Sequence, residues 1–355
     1  MSIFNRKKIK KDYEYDDEEY EEFEERAPSR RKFKDLNPEN KKKRKEPVKP
    51  WGRRERLMVL IVLLVTIFTS GILSLSARNY KLPGLPKFSL PSFDWGEGTI
   101  IIEGNKEGRE KAEKTTNLFK DQTKNLSGVY ALYVIRLSDG SNYGVNENAV
   151  MQAASFIKLP VLATLFLEAE NGSIDLETKY TLKNSDKRTG SGSLSTKPAG
   201  TVLTYRDLAR LMGKESDNTA FNIIRNVLGD GRINETTKSI GMLGTSLEEN
   251  ETTPYDIGLF FEKLWKGEIV ARQARDEILD YLTDRIYEEW IVKGIPDVRV
   301  AHKYGREPRA VNDAGIILTE KPFVLVIMSD GAVETEADKV IPEIAKKVYE
   351  IEIGK

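Results

Sequence analysis

Ser155-Phe156-Ile157-Lys158 opens onto an uncharged run, Leu159-Pro160-Val161-Leu162-Ala163-Thr164-Leu165-Phe166-Leu167, which Asn171-Gly172 brings to a close. The run predicts a buried helix, with Pro160 early enough to be tolerated near the first turn and Asn171-Gly172 as its stop. Ser155 then stands at the helix N-terminus, where unpaired N–H groups and the macrodipole favour developing negative charge. Lys158, three residues on, shares that face and is within reach of the Ser155 hydroxyl. A serine with an amine beside it is a nucleophile with a candidate base. The same spacing recurs at Ser29-Arg30-Arg31-Lys32, but in a charged stretch without apolar periodicity. Such a stretch does not hold a packed site.

Two further strings add to the pair. Ser216-Asp217-Asn218 joins two apolar helical stretches, Leu208–Met212 and Thr219–Ile224, where it also suits a turn that caps the second helix. Lys303-Tyr304-Gly305 follows Val298–Ala301 and precedes Gly315–Leu318 and Phe323–Met328, runs that read as antiparallel strands. Lys106-Glu107-Gly108 has the same lysine–glycine spacing without that setting. The three strings supply a serine nucleophile, an amine, a second hydroxyl with an amide, and a second amine. With these an acyl-serine intermediate can form without histidine. The one histidine, His302, is next to Lys303 on a predicted strand and is expected to face away from it. A lysine can act as base when burial and a second cation disfavour its charged form. Lys158 opposite Lys303 fits that requirement.

The set S-x-x-K, S-D-N, K-T-G marks class A β-lactamases and penicillin-binding proteins. From about residue 107 to the C-terminus the chain resembles the class A β-lactamase domain of the penicillin-recognising serine enzymes. Asn222–Gly229 resembles the helix after the second motif, Thr252-Thr253-Pro254 the signature after the long loop, and Asn312-Asp313 the strand pair after the lysine motif. The resemblance implies Ser155, Lys158, Ser216 and Lys303 as catalytic residues, with Ser216 relaying a proton to the departing nitrogen. It implies that Asn218 holds the substrate amide, that Tyr304, Gly305 and Arg306 line the substrate, and that the backbone N–H groups of Ser155 and Arg306 form the oxyanion hole. It implies no metal and no cofactor.

Two departures accompany the resemblance. Tyr304 replaces a small hydroxyl residue that helps hold the substrate carboxylate, and Arg309 is the cation offered in compensation. The loop that carries the water-activating glutamate shrinks to Leu243–Glu251, leaving Glu248, Glu249 and Glu251 as candidates by proximity alone.

Around the motifs, Glu107–Lys124 reads as a helix, and Val129–Arg136 with Ser141–Val145 as a hairpin turning at Asp139-Gly140. Residues 155–285 read as mainly helical, and the last seventy return to strands before a helix near Val340–Tyr349. Strands at both ends with helices between predict an α+β fold: one antiparallel sheet built from both ends of the domain, beside a helical subdomain.

The N-terminal third obeys different rules. Residues 1–56 hold 19 Lys and Arg against 14 Asp and Glu, with an acidic block from Asp12 to Glu25 and a basic one from Lys41 to Lys45. Such blocks predict a disordered tail. Residues 57–77 carry no charge over a length that crosses a bilayer as a helix. Nine Lys or Arg lie in residues 41–56 against three in 78–98, which predicts a cytoplasmic N-terminus and an external domain. Residues 78–98, with Pro83, Pro86 and Pro91, read as a stiff spacer, and residues 99–355 as the hydrolase domain. The chain has no cysteine, so a disulfide or a cysteine-linked lipid is excluded. The tail carries +5 and residues 78–355 carry −5, neither of which suggests nucleic acid.

The expectation is a membrane-anchored, outward-facing serine hydrolase that opens a β-lactam or related amide. A peptidase acting on D-Ala-D-Ala ends of peptidoglycan stem peptides and a receptor acylated once by a β-lactam stand as alternatives. A solvated loop without a placed glutamate argues against efficient turnover.

Overall fold

The computed structural model describes residues 58–66, 69, 106–284 and 288–354. The chain divides into two compact units, Met1–Phe88 and Ser89–Lys355. In the first unit, residues 58–66 are helical with exposed apolar side chains. No helix among the described residues is long and apolar enough to cross a membrane. The rest of the apolar segment 57–77, the tail 1–56 and the spacer 78–98 lie outside the described residues.

The second unit is built on a five-stranded antiparallel sheet in the order β2-β1-β9-β8-β7. Its strands are β1 (Val129–Arg136), β2 (Asn142–Val145), β7 (Val300–Glu307), β8 (Ala310–Ile317) and β9 (Phe323–Asp330). The N-terminal hairpin thus pairs with the last strand, β1 against β9 along their full lengths. The turn between β1 and β2 is where Asp139-Gly140 placed it, with Gly140 at φ 73° and Asp139 accepting from the Ser141 N–H at 2.9 Å.

Alternation along β1 separates two cores, as a pleated strand requires. Tyr130, Leu132 and Val134 face one core, with α1 (Lys106–Thr123) and the C-terminal helix α9 (Glu334–Ile353). Ala131, Tyr133 and Ile135 face the other, with the helical subdomain. That subdomain contains α2 (Lys158–Glu170), α3 (Tyr205–Lys214), α4 (Asn218–Leu228), α5 (Asp230–Ile240), α6 (Pro254–Lys266) and α7 (Arg272–Tyr281). A short turn, α8 (Ile291–Gly294), precedes β7.

The α+β layout agrees with the expectation, with one difference of extent. The C-terminal helix begins at Glu334, not near Val340, and continues past Pro342 inside it. β7 runs through the lysine motif, which places His302 and Lys303 on a strand as expected.

Candidate active site

The chain reaches Ser155 through a strained entry. The two-residue strand β3 (Met151–Gln152) pairs with β6 (Glu251–Thr252), and the Ala153 N–H donates to the Asn250 carbonyl at 2.8 Å. A 3₁₀ turn, Ala154–Ile157, then carries the serine, and the α-helix begins only at Lys158. Ala154 takes φ +49°, and Ser216 and Asn250 take +54°. Three non-glycine residues around one site in the left-handed region hold backbone strain that packing must maintain. Asn250 also keeps its side-chain Oδ1 buried with no hydrogen-bond partner among the described residues.

Ser155 is half-buried, while Lys158, Ser216 and Lys303 are buried. Four oxygens surround the Lys158 amine: Ser216 O at 2.7 Å, Asn218 Oδ1 at 2.6 Å, Ser155 Oγ at 2.9 Å and Ser216 Oγ at 3.2 Å. Two of these, the carbonyl and the amide oxygen, can only accept, whereas hydroxyls can also donate. The amine's hydrogens serve the two obligate acceptors first, and the two hydroxyls complete the set. Lys303 Nζ donates to Ser216 Oγ at 2.8 Å and to the Tyr304 carbonyl at 2.7 Å. The three strings, far apart in sequence, therefore meet in one chain of hydrogen bonds.

Asp217 and Asn218 show why the second string has its composition. Asp217, fully buried, caps α4 by accepting from the Ala220 N–H at 2.8 Å, and its other oxygen accepts from the Leu194 N–H at 2.8 Å. Capping and site-building are thus one role here. Asn218 turns Oδ1 to Lys158 and Nδ2 to the Thr189 carbonyl at 2.8 Å, an orientation fixed by a donor on one side and an acceptor on the other. Both ends of that amide are engaged by the protein.

The lysine strand closes the site from the other side. A Cβ on Gly305 would stand 2.9 Å from Ser155 N and 3.1 Å from the Ala153 carbonyl, so only glycine lets β7 approach this closely. Val311, opposite Arg306, gives its N–H to Ser329 Oγ at 2.9 Å and accepts from it at 2.8 Å. Its backbone therefore faces β9, and antiparallel alternation turns the Arg306 N–H and carbonyl off the free edge of the sheet. Ser155 N, close beside Gly305, and the outward-turned Arg306 N–H are the two groups expected to form an oxyanion hole.

Other expected residues lie elsewhere. His302 is buried on the opposite face, its Nδ1 2.8 Å from Asp313 Oδ1, while Asp313 Oδ2 accepts from the Ile291 N–H. The Arg306 side chain does not line the cleft; it pairs with Glu334 and Asp338 on α9. Hydrogen bonding to Asp338 raises its pKa further. The Tyr304 ring packs on Trp290 with centroids 5.6 Å apart and planes tilted by 52°, and its centroid lies 4.8 Å from Lys303 Nζ. Arg309, at φ +66° in the β7–β8 turn, donates to the Gly331 carbonyl. Glu248 and Glu249 are exposed, and Glu251 is half-buried with its backbone paired to Gln152 and Ser246.

The sequence model of the Beta-lactamase enzyme family matches residues 111–351. The β-lactamase L2 of Stenotrophomonas maltophilia is 23% identical over 176 residues, 45% of this chain and 58% of that protein. The matched chain thus spans less than two thirds of that relative. Among solved structures, PBP-A is similar with a TM-score of 0.64 at 24% identity, over 69% of this chain and 97% of its own. A β-lactamase from Sphaerobacter thermophilus gives a TM-score of 0.64 at 24% identity, over 68% and 97%. These likenesses are of fold.

Proposed function

The chain belongs to the Beta-lactamase enzyme family, and from that premise we propose that it is a membrane-anchored serine hydrolase acylated at Ser155 by a β-lactam or a related amide. The observation that carries this reading is the unbroken path Ser155 Oγ–Lys158 Nζ–Ser216 Oγ–Lys303 Nζ, with steps of 2.9, 3.2 and 2.8 Å. Neutral Lys158 takes the Ser155 proton as the oxygen attacks the carbonyl carbon. The oxyanion is received by the Ser155 and Arg306 N–H groups; one such donor is worth about 10²–10³ in rate. Lys158 passes a proton to Ser216 Oγ, whose own hydrogen goes to the departing nitrogen as the C–N bond breaks. Lys303 stabilises the Ser216 oxygen during that transfer. Asn218 and the outward carbonyl of Arg306 hold the acyl side of the substrate.

The test is covalent labelling of the full-length protein in detergent with a fluorescent penicillin. Labelling is expected in the wild type, lost in Ser155→Ala, and unchanged in Ser29→Ala. Labelling that survives Ser155→Ala overturns the assignment.

A second reading, a penicillin-binding peptidase acting on D-Ala-D-Ala ends, is favoured by the short Leu243–Glu251 loop and by the likeness to PBP-A, another structure of which is described as an acyl-enzyme complex with penicillin G. Release of D-alanine from a stem-peptide mimic, without steady β-lactam turnover, distinguishes it. The third reading, a receptor acylated once that signals through residues 1–56, calls for neither.

Anchoring rests on the uncharged residues 57–77 and on the exposed apolar side chains of 58–66. The excess of Lys and Arg before them places the catalytic domain outside the cell. Protease shaving of intact cells is expected to remove residues 78–355 and spare the tail; protection of the domain reverses the orientation.

A further inference from the structure

The end of β7 that carries the proposed oxyanion donor pairs with β8 on one edge and packs Gly305 against the Ala153–Ser155 turn, while its other edge is open. β7 is the outer strand of the sheet, so among the described residues no neighbouring strand fixes the Arg306 N–H on that edge. The same edge is held further back, where the His302 N–H donates to the Leu282 carbonyl and the Tyr304 carbonyl accepts from Lys303 Nζ. Around Arg306 the described residues show no such bond on this edge: Glu307 is exposed, and the turn follows. The side chain that ties this stretch down is the Arg306 guanidinium. It donates to Glu334 Oε2 through Nε at 3.0 Å and Nη2 at 2.7 Å, and to Asp338 through Nη1 at 2.9 Å and Nη2 at 3.2 Å.

Asp338 does more than pair with Arg306. Its Oδ1 also accepts from the Trp290 indole N–H at 3.0 Å. The Arg306 guanidinium lies 5.9 Å over the Trp290 ring, and the other rings follow: Trp290 on Tyr304, Tyr304 beside the Lys303 ammonium. One carboxylate on α9 thus holds both the oxyanion residue and the aromatic pair behind the strand lysine.

We propose that Asp338 is a positioning residue for acylation: through the Arg306 guanidinium it fixes the direction in which the Arg306 N–H points, and so completes the oxyanion hole. The proposal rests on the acyl-serine reading above. The clamp consists of side chains 37–41% exposed, and pairs of this kind contribute little to stability. A misdirected donor, by contrast, costs rate steeply, because a displacement of about 1 Å can cost ~10²-fold. Geometry and stability therefore separate in an experiment.

Arg306→Met keeps the backbone donor and removes the clamp; Asp338→Asn keeps an acceptor for Trp290 and weakens the pair. Full-length wild type and both variants are mixed with a fluorescent penicillin over a range of concentrations. The limiting acylation rate and the half-saturating concentration are then separated, with the thermal midpoint measured in parallel. The limiting rate is expected to fall about 10-fold in Arg306→Met and several-fold in Asp338→Asn, within the range for a misplaced donor. Half-saturation and thermal midpoint stay near wild type, and Arg306→Lys recovers part of the rate. A limiting rate within twofold of wild type in both variants overturns the inference, as does a loss confined to half-saturation. Should Arg306→Met not fold, Asp338→Asn decides alone. Wild type that takes no label on Ser155 defeats the acyl-serine reading instead, and the inference with it.

Discussion

Lys158 and Lys303 donate to the same oxygen, Ser216 Oγ, at 3.2 and 2.8 Å. Two amines converging on one buried hydroxyl have a consequence for its hydrogen. A serine hydroxyl offers two lone pairs and one O–H. When both amines donate, both lone pairs are taken and the Ser216 hydrogen is left to point away from them. That geometry suits a group that hands its proton to a leaving nitrogen. The buried main chain of Ser216, at φ +54°, keeps the hydroxyl in place between the two motifs.

The first prediction concerns Lys158. A base must give up its proton before the reaction, and a guanidinium does not do so at working pH. Lys158→Arg is expected to lower the acylation rate by about 10²–10⁴, the usual contribution of a general base, although guanidinium keeps N–H donors at that place. His302→Ala leaves that rate largely intact, because its ring is on the far face with Asp313. Stopped-flow acylation of both variants checks this; an arginine variant near the wild-type rate places the base elsewhere.

A second prediction concerns Gly305. An added Cβ meets Ser155 N at 2.9 Å, the Ala154 Cβ at 3.0 Å and the Ala153 carbonyl at 3.1 Å, and two of these three atoms are backbone. β7 or the 3₁₀ turn must therefore shift, and each carries one of the two proposed oxyanion donors. Gly305→Ala is expected to cost about 1–3 kcal/mol of stability as overpacking. The same change should lower acylation by about 10²-fold through misplacement of the donors. Acylation and denaturant midpoints measured together test whether the loss of rate exceeds the loss of fold.

Much of the fold and site was legible because each motif carries its own local signal. The apolar run after Ser155, the cap at Asp217 and the Asp139-Gly140 turn are short-range features that a reader of residues can find. What escaped depends on contacts between distant segments. Nothing in Ala154 or Asn250 announces a left-handed backbone, since β3, β6 and the 3₁₀ turn impose it together. Arg306 was expected to give its backbone N–H to the site, and its side chain reaches Glu334 and Asp338 on α9, partners that its own position does not announce. Tyr304 was read as a displaced hydroxyl; its ring is instead fixed by Trp290, fourteen positions away. Glu334–Lys339 lacks apolar periodicity and Pro342 suggests a break, so the start of α9 was placed too late.

A third prediction follows from Glu147, a buried carboxyl outside the site. It is 3% exposed, and its Oε2 has no hydrogen-bond partner among the described residues. Burial raises its pKa above the ordinary value of 4.5. A backbone hydrogen bond offsets part of this rise, and burial is the larger effect. A carboxyl with a raised folded pKa binds its proton more tightly in the folded state. The stability it confers is complete below the unfolded pKa and is lost as pH rises through the folded one. Glu147→Gln is therefore expected to stabilise the protein at pH 7 and to make no difference below about pH 4. Thermal midpoints from pH 3 to 8 check this; a variant destabilised equally at every pH contradicts it.

The last prediction concerns release of the acyl group. On the proposed reading, acylation needs the Ser155–Lys158–Ser216–Lys303 path, which the structure contains, and the two N–H donors. Deacylation needs a water activated beside the ester, and the loop that would supply its base spans only Leu243–Glu251. Glu248 and Glu249 on it are exposed, and Glu251 is half-buried with its backbone engaged in β6. A missing general base costs about 10²–10⁴-fold, so the acyl-enzyme is expected to accumulate. A chromogenic cephalosporin should give a burst near one equivalent and then a slow phase, with mass spectrometry showing the adduct on Ser155. Glu248→Gln, Glu249→Gln and Glu251→Gln are each expected to leave the slow phase within twofold. Fast turnover without a burst, lost in only one of these variants, would mean that the short loop does position a base. Glu251 would be the first to examine, because its strand pairs with the one leading into Ser155.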